Sequence, residues 1–177
     1  MTILPLPSQV LGPENAIWDD GEWISWHEIN EHIEREEMRE KYPRGDLTIV
    51  PIFESLLTAA ENYHRLTGRH LQVYGDIGEL FASLTLGITL HRNFAKGSDG
   101  RLGNDFIEVK TITPLNKKHK ITINLNGHFS KVFVVKIDQD FHISGNLIDR
   151  KTLPRGRKSV CISWDDLESP RARCNEA

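Results

Sequence analysis

Residues 99–112 read DGRLGNDFIEVKTI, and the organisation of the chain follows from how this stretch folds. Gly103-Asn104-Asp105 is turn chemistry, so the segments on either side are expected to double back as a hairpin, a strand over 96–102 followed by one over 106–112. Pro114 ends the second strand. Glu108 and Lys110 are two residues apart, so on a strand they project from one face. A hairpin at this turn can bring Asp99 beside Glu108. Asp105 is nearer in sequence, but it is expected in the turn, and three residues from Glu108 is the opposite strand parity.

Outward from this hairpin, residues 131–138, KVFVVKID, form a near-continuous apolar run of the kind that is buried on both faces of a sheet. Weaker strands are expected over 141–148 and 159–164, and a short one over 88–94. Upstream the texture is helical. Val73, Ile77, Leu80, Phe81 and Leu84 predict a helix over 71–86 that stops at Gly87. Ile49, Phe53, Leu56, Leu57 and Ala60 predict another over 47–66 that stops at Gly68. The stretch 18–41 opens with Trp18, Trp23 and Trp26 and continues as a polar helix, with Ser25 and Glu28 spaced as a capping box and only a narrow apolar stripe. The expectation is an α/β (α+β) domain with a central mixed β-sheet flanked by helices and an N-terminal helical part. Residues 1–68 are assigned to a helical extension and 69–177 to the α/β core.

Phosphodiester hydrolysis requires a divalent cation and an activated water, and hard cations take carboxylate oxygens. Two carboxylates and a lysine must therefore converge. In the order helix, strand, hairpin, E-x-K strand and buried strand, residues 71–138 resemble the PD-(D/E)XK nuclease superfamily, the restriction-endonuclease-like fold. The resemblance implies that Asp99 and Glu108 bind Mg²⁺ or Mn²⁺ and that Lys110 orients or deprotonates the attacking water. It also implies that Glu79, on the preceding helix in GDIGELF, assists at the metal. Ser98 stands where the family's nominal proline would be. The implied activity is Mg-dependent hydrolysis of DNA, as an endonuclease. Two rivals stay open: a nucleic-acid-binding module that keeps the fold without cleaving, and a partner-binding protein whose acidic helices are the working surface.

An acid-x-lysine tripeptide is weak by itself, because 25 acidic residues and 10 lysines among 177 positions give about 1.4 such pairs by chance. The chain has a second, Asp149-Arg150-Lys151, with Asp140 upstream at the same interval that separates Asp99 from Glu108. Context separates the two, since only the first follows a carboxylate-bearing helix and a turn-marked hairpin and precedes the buried strand.

The overall balance, net charge −3 and pI near 6.2, conceals a polarity along the chain. From Glu14 to Glu54 there are 12 acidic residues against 4 basic, a net of −8; from Lys110 to Lys158 there are 11 basic against 3 acidic, a net of +8. A basic segment of this kind can track phosphates, and Lys117, Lys118, Lys120, Arg155, Arg157 and Lys158 are the candidate DNA contacts. The acidic helices are assigned specificity, regulation or homodimerisation.

Hydrophobic content of 38%, charged content of 27% and a mean hydropathy of −0.41 describe an ordinary globular protein. No apolar run is long enough to span a membrane, residues 1–10 lack the features of a signal peptide, and two cysteines do not make a disulfide framework. A cytoplasmic location is the expectation. The histidines lack zinc-ligand spacing, and nucleotide-loop and serine-hydrolase motifs are missing.

Overall fold

The computed structural model describes residues 11–92 and 97–168. The chain divides into two compact units between Pro43 and Arg44. No helix among the described residues is long and apolar enough to cross a membrane.

The first unit holds a hairpin, β1 (Ala16–Asp19) and β2 (Glu22–Ser25), and helix α1 (Trp26–Lys41). The hairpin differs from the helical expectation for this part of the chain. Its two-residue loop is Asp20-Gly21, both with positive φ (39° and 97°), which suits the right-handed twist of the flanking strands. Trp18 and Trp23 pair across it, rings edge to face at 5.4 Å. The capping box is present as expected: Ser25 Oγ accepts from the Glu28 amide, and the Glu28 carboxylate accepts from the Ser25 amide. Those hydrogen bonds hold the Glu28 carboxyl below its ordinary pKa. No residue of α1 is buried, as its polar sequence requires.

In the second unit a 3₁₀ turn (Leu47–Ile49) leads into α2 (Val50–Thr67), and α3 (Tyr74–Leu86) follows. Both helices end on left-handed glycines, Gly68 and Gly87, as the sequence indicates. A five-stranded mixed sheet has the order β3-β4-β5-β7-β8, from β3 (Thr89–Leu90), β4 (Gly100–Leu102), β5 (Asp105–Ile112), β7 (Lys131–Ile137) and β8 (Ile143–Asp149). The β5–β7 pair is parallel and the other pairs are antiparallel. β3 and β4 are shorter than expected, and residues 93–96, where those two expected strands meet, lie outside the described residues.

The sheet is covered on both faces. One face carries α3, through a run of rings, Phe53, Phe81 and Phe133, stacked at 6.0 and 6.2 Å. Gly78 makes the approach of α3 feasible, since a Cβ there would stand 2.1 Å from Thr111 Oγ1 on β5. The other face carries Ile112, Val132, Val134 and Ile148. It is covered by an antiparallel ribbon, β6 (Lys120–Asn124) with β9 (Ser159–Ser163), which brings in Ile121, Ile123 and Trp164. Burying a Val or Ile side chain stabilises by about 1.5–3 kcal/mol, so these two layers dominate the fold's stability. β6 and the short helix α4 (Asp165–Glu168) add to the elements expected from the sequence. α2, grouped by sequence with the N-terminal extension, falls in the second unit with α3.

At the α2–α3 junction His64 and His70 stack at 4.0 Å, and His70 Nδ1 is 2.7 Å from the Tyr74 hydroxyl. Burial, and then the neighbouring His64, hold His70 below the ordinary histidine pKa.

Tight packing on β8 generates a test. A Cβ on Gly145 would stand 2.2 Å from the Phe133 ring, which is itself locked against Phe81. Gly145→Ala should therefore cost about 1–3 kcal/mol by overpacking, read as a lower urea midpoint at unchanged slope.

Candidate active site

The β4–β5 hairpin places the first carboxylates. Its loop is Gly103-Asn104, with Gly103 at φ 59°, and Leu102 pairs with Asp105. The same register ends with Gly100 opposite Ile107, which leaves Asp99 just before the first paired residue of β4. The Asp99 amide donates to Ile107 O at 2.9 Å, and Asp99 Oδ2 accepts from the Val109 amide at 2.6 Å. The carboxylate is thereby anchored against the backbone of β5 beside Glu108.

On β5 the alternation is as expected. Ile107 and Val109 are buried, whereas the Glu108 and Lys110 side chains are 18% and 35% exposed and lie 2.6 Å apart, Oε1 to Nζ. Glu79, one turn along α3 from Asp76, completes the group from the helix. Its carboxyl is raised above the ordinary pKa by burial first, then by the negative charges of Asp99 and Asp76. Lys110 opposes that shift and Glu108 adds to it. Glu79, Asp99, Glu108 and Lys110 therefore share one electrostatic neighbourhood, and Asp76, not anticipated, belongs to it. The signal for Asp76 was its spacing of three residues from Glu79 on a helix.

Asp105 stands apart from this group. It begins β5 rather than sitting in the turn, which corrects the sequence expectation on that point. Lys131 Nζ approaches its Oδ2 at 2.6 Å and Ser130 Oγ donates to Oδ1 at 2.9 Å. The hydrogen bond from Lys131 is the main cause of a lowered Asp105 pKa, and the same bond raises that of Lys131, so both partners report one ion pair. Asp105 thus ties the starts of β5 and β7 together.

Phe106 shares β5 parity with Glu108 and carries Arg101 over its ring at 5.7 Å and His128 at 5.0 Å. Sequence reasoning missed these neighbours; the cross-strand pairing of Arg101 with Phe106 was the available signal.

At Glu79 the negative charges of Asp99, Asp76 and Glu108 are opposed only by the Lys110 ammonium, an excess of negative charge. All-oxygen donors with that charge are what a hard dication takes, so the residues fit magnesium or manganese. Among the described residues, the His and carboxylate atoms that gather in threes within 4.8 Å are those of Asp138, Asp140 and His142, not Glu79, Asp99 and Glu108. That triad is explained without an ion: Asp138 Oδ1 accepts the amides of Asp140 and His142, closing the exposed β7–β8 turn. At the candidate site, Glu108 is held by Lys110 and Asp99 by the Val109 amide, which accounts for the looser grouping.

The basic candidates lie elsewhere, in two groups. Lys117, Lys118 and Lys120 lie at one end of the β6–β9 ribbon, where Lys120 pairs with Ser163. Arg155, Arg157 and Lys158 are exposed at the other end, where Asn124 pairs with Ser159. The strand between them spans roughly 13 Å at about 3.3 Å per residue.

No protein-family model matches the chain, and no curated protein matches it.

The raised Glu79 pKa has a testable sign. A carboxyl whose folded pKa lies above its unfolded value binds its proton more tightly in the folded state, so its ionisation opposes folding and the penalty disappears on acidification. In metal-free buffer, Glu79→Gln should be more stable than wild type at pH 7. The difference should shrink as pH falls through the carboxylate range, measured by urea unfolding in EDTA.

Proposed function

We propose that the chain is a magnesium- or manganese-dependent nuclease that hydrolyses DNA phosphodiester bonds in the manner of the PD-(D/E)XK superfamily. What supports the reading is the E-x-K strand, where Lys110 lies 2.6 Å from Glu108 and the Val109 amide binds Asp99, together with Glu79 on α3, whose carboxyl is raised by burial and then in part by the charges of Asp99 and Glu108. In this reading Asp99 and Glu108 hold the ion and Glu79 assists. The ion, when bound, would neutralise phosphate charge and acidify a water at neutral pH.

The remaining work falls to the chain's own groups. Lys110, held beside Glu108, would turn its ammonium toward the scissile phosphate and orient the water, or as the neutral amine accept the water's proton. The Val109 amide keeps the Asp99 carboxylate aimed from the backbone, so that ligand is preorganised by the sheet. Phosphates flanking the cut would be met by the cationic ends of the β6–β9 ribbon, which covers the sheet face that Glu108 and Lys110 share with Ile112.

The two central substitutions should fail differently. Glu108→Ala removes an anionic ligand, so magnesium affinity and cleavage both fall. Lys110→Ala removes a neighbouring positive charge; metal affinity is retained or slightly raised while cleavage is abolished. Metal titration calorimetry beside a plasmid-nicking assay reads both. Wild-type protein that binds no divalent ion and cuts neither single- nor double-stranded DNA overturns the proposal.

Replacing Lys117, Lys118 and Lys120 by alanine should flatten the salt dependence of duplex binding, by about 0.9 in slope for each phosphate that is no longer neutralised. An unchanged slope would leave those lysines to solubility alone.

A further inference from the structure

A concavity of about 540 Å³ opens where β5 and β7 begin and β8 ends. That volume lies within the roughly 300–1,000 Å³ of small-ligand pockets. Its floor is apolar, made by Leu125, Phe129 and Leu153, all buried. Its rim is charged, and the sign of that charge is decided by which groups are already engaged.

The acidic members are spoken for. Asp105 is paired with Lys131 and Ser130, and Asp149 Oδ1 accepts the Lys151 amide to cap the 3₁₀ turn at Arg150–Thr152. Arg150 is spoken for as well. Its guanidinium donates to the carbonyls of Leu125, Gly127 and Phe129 at 2.5, 2.6 and 2.9 Å and lies over the Phe129 ring at 4.5 Å. What is left is Lys151, drawn toward Asp105 only at longer range, with Arg155 and Arg157. Among the described residues neither arginine makes a side-chain hydrogen bond or an ion pair, and both are exposed. Gly156 between them has φ 75°, so the chain turns there and both arginines remain on the rim.

Uncommitted cations above an apolar floor suit a ligand that has a phosphate at one end and an apolar ring system at the other. The geometry points to a nucleotide-binding pocket, in which Arg155, Arg157 and Lys151 hold the phosphate while the sugar and base rest on Leu125, Phe129 and Leu153. The source of that nucleotide is the substrate strand, and this part rests on the nuclease reading above. Asp105, on the pocket wall, is three residues from Glu108 on β5, roughly 10 Å along the strand. At about 3.4 Å of rise per nucleotide, that is about three nucleotides from the cut. The pocket would set where along the strand cleavage falls.

The test uses the full chain in EDTA, so that the carboxylate site takes no part. Thymidine 5′-monophosphate, thymidine, inorganic phosphate and a 12-nucleotide single strand are titrated against wild type and against Arg155→Ala/Arg157→Ala. The nucleotide should bind at least about tenfold more tightly than thymidine or phosphate alone, and the double substitution should remove about tenfold or more of that affinity without moving the melting temperature. The slope of single-strand binding against salt should fall by about 0.7, the share of one neutralised phosphate. Weakening on both the mononucleotide and the strand assigns the pocket to the strand; weakening on the mononucleotide alone assigns it to a free nucleotide and overturns the strand assignment. The pocket is overturned if the double variant binds every probe as wild type does, or if phosphate alone binds as tightly as the nucleotide. A plasmid-nicking assay in magnesium keeps the two readings apart. A nuclease without this pocket cuts, and its double variant binds and cuts like wild type. A pocket without the nuclease shows the weakened binding in a protein that cuts nothing.

Discussion

The parallel pairing of β5 with β7 is the constraint on which the second unit depends. Parallel neighbours cannot be joined by a tight turn, so the chain from 113 to 130 must leave the sheet and return to its starting end. The excursion contains β6, which lies over one face of the sheet and finds its partner in β9 after β8 is complete. With the helices on the opposite face, β7 is closed in from both sides, and Val132, Phe133, Val134 and Val135 are all buried. The same pairing frees the other edge of β5 for the β4 hairpin, next to which Asp99 binds the Val109 amide. One strand therefore carries the core on Ile107, Val109 and Ile112 and the candidate chemistry on Glu108 and Lys110.

Cations that stabilise this fold are distinguishable from cations that do not. Arg150 closes the 125–130 loop through three carbonyls and a ring face, and Lys131 joins the starts of β5 and β7 through Asp105. Arg155 and Arg157 are engaged by nothing among the described residues. Carboxylates divide in the same way. Asp105, Asp138 and Asp149 satisfy local amides or a lysine, whereas burial, and after it the like charges of Asp99 and Asp76, raise the Glu79 pKa. A group held at a cost to folding is where function is sought, because nothing in the packing requires the charge.

Much of this was legible in the sequence. The α3 helix, the E-x-K strand and the doubly buried β7 follow from periodicity, and the glycine stops at Gly68 and Gly87 stand where the texture changes. Turn placement led to the expectation that Asp99 lies against the E-x-K strand, and its carboxylate accepts from the Val109 amide there. The misses have physical causes. Asp20-Gly21 is a strong two-residue hairpin signal, but its flanking tryptophans read as the lead into α1, whose capping box is the louder feature. β6 alternates, with Ile121 and Ile123 buried, yet the lysines before it make the segment read as a loop. Its burial depends on β9, nearly forty residues on, and that pairing leaves no local trace. Asp105 reads as turn because turn and strand chemistry overlap at a hairpin's first paired residue.

The β6–β9 ribbon also answers a question that composition leaves open, namely whether the +8 segment acts as one patch. It does not. Lys117, Lys118 and Lys120 are held at the Ser163 end of the ribbon, and Arg155, Arg157 and Lys158 at the Ser159 end of its five-pair ladder. Because a ladder register resists slipping by one residue without exposing Ile121 and Ile123, the separation of the two groups is fixed by the core and not by flexible side chains. A rigid separation of cations suits a ligand whose own charges are regularly spaced, as phosphates are along a strand. A flexible polyanion would make no use of that rigidity.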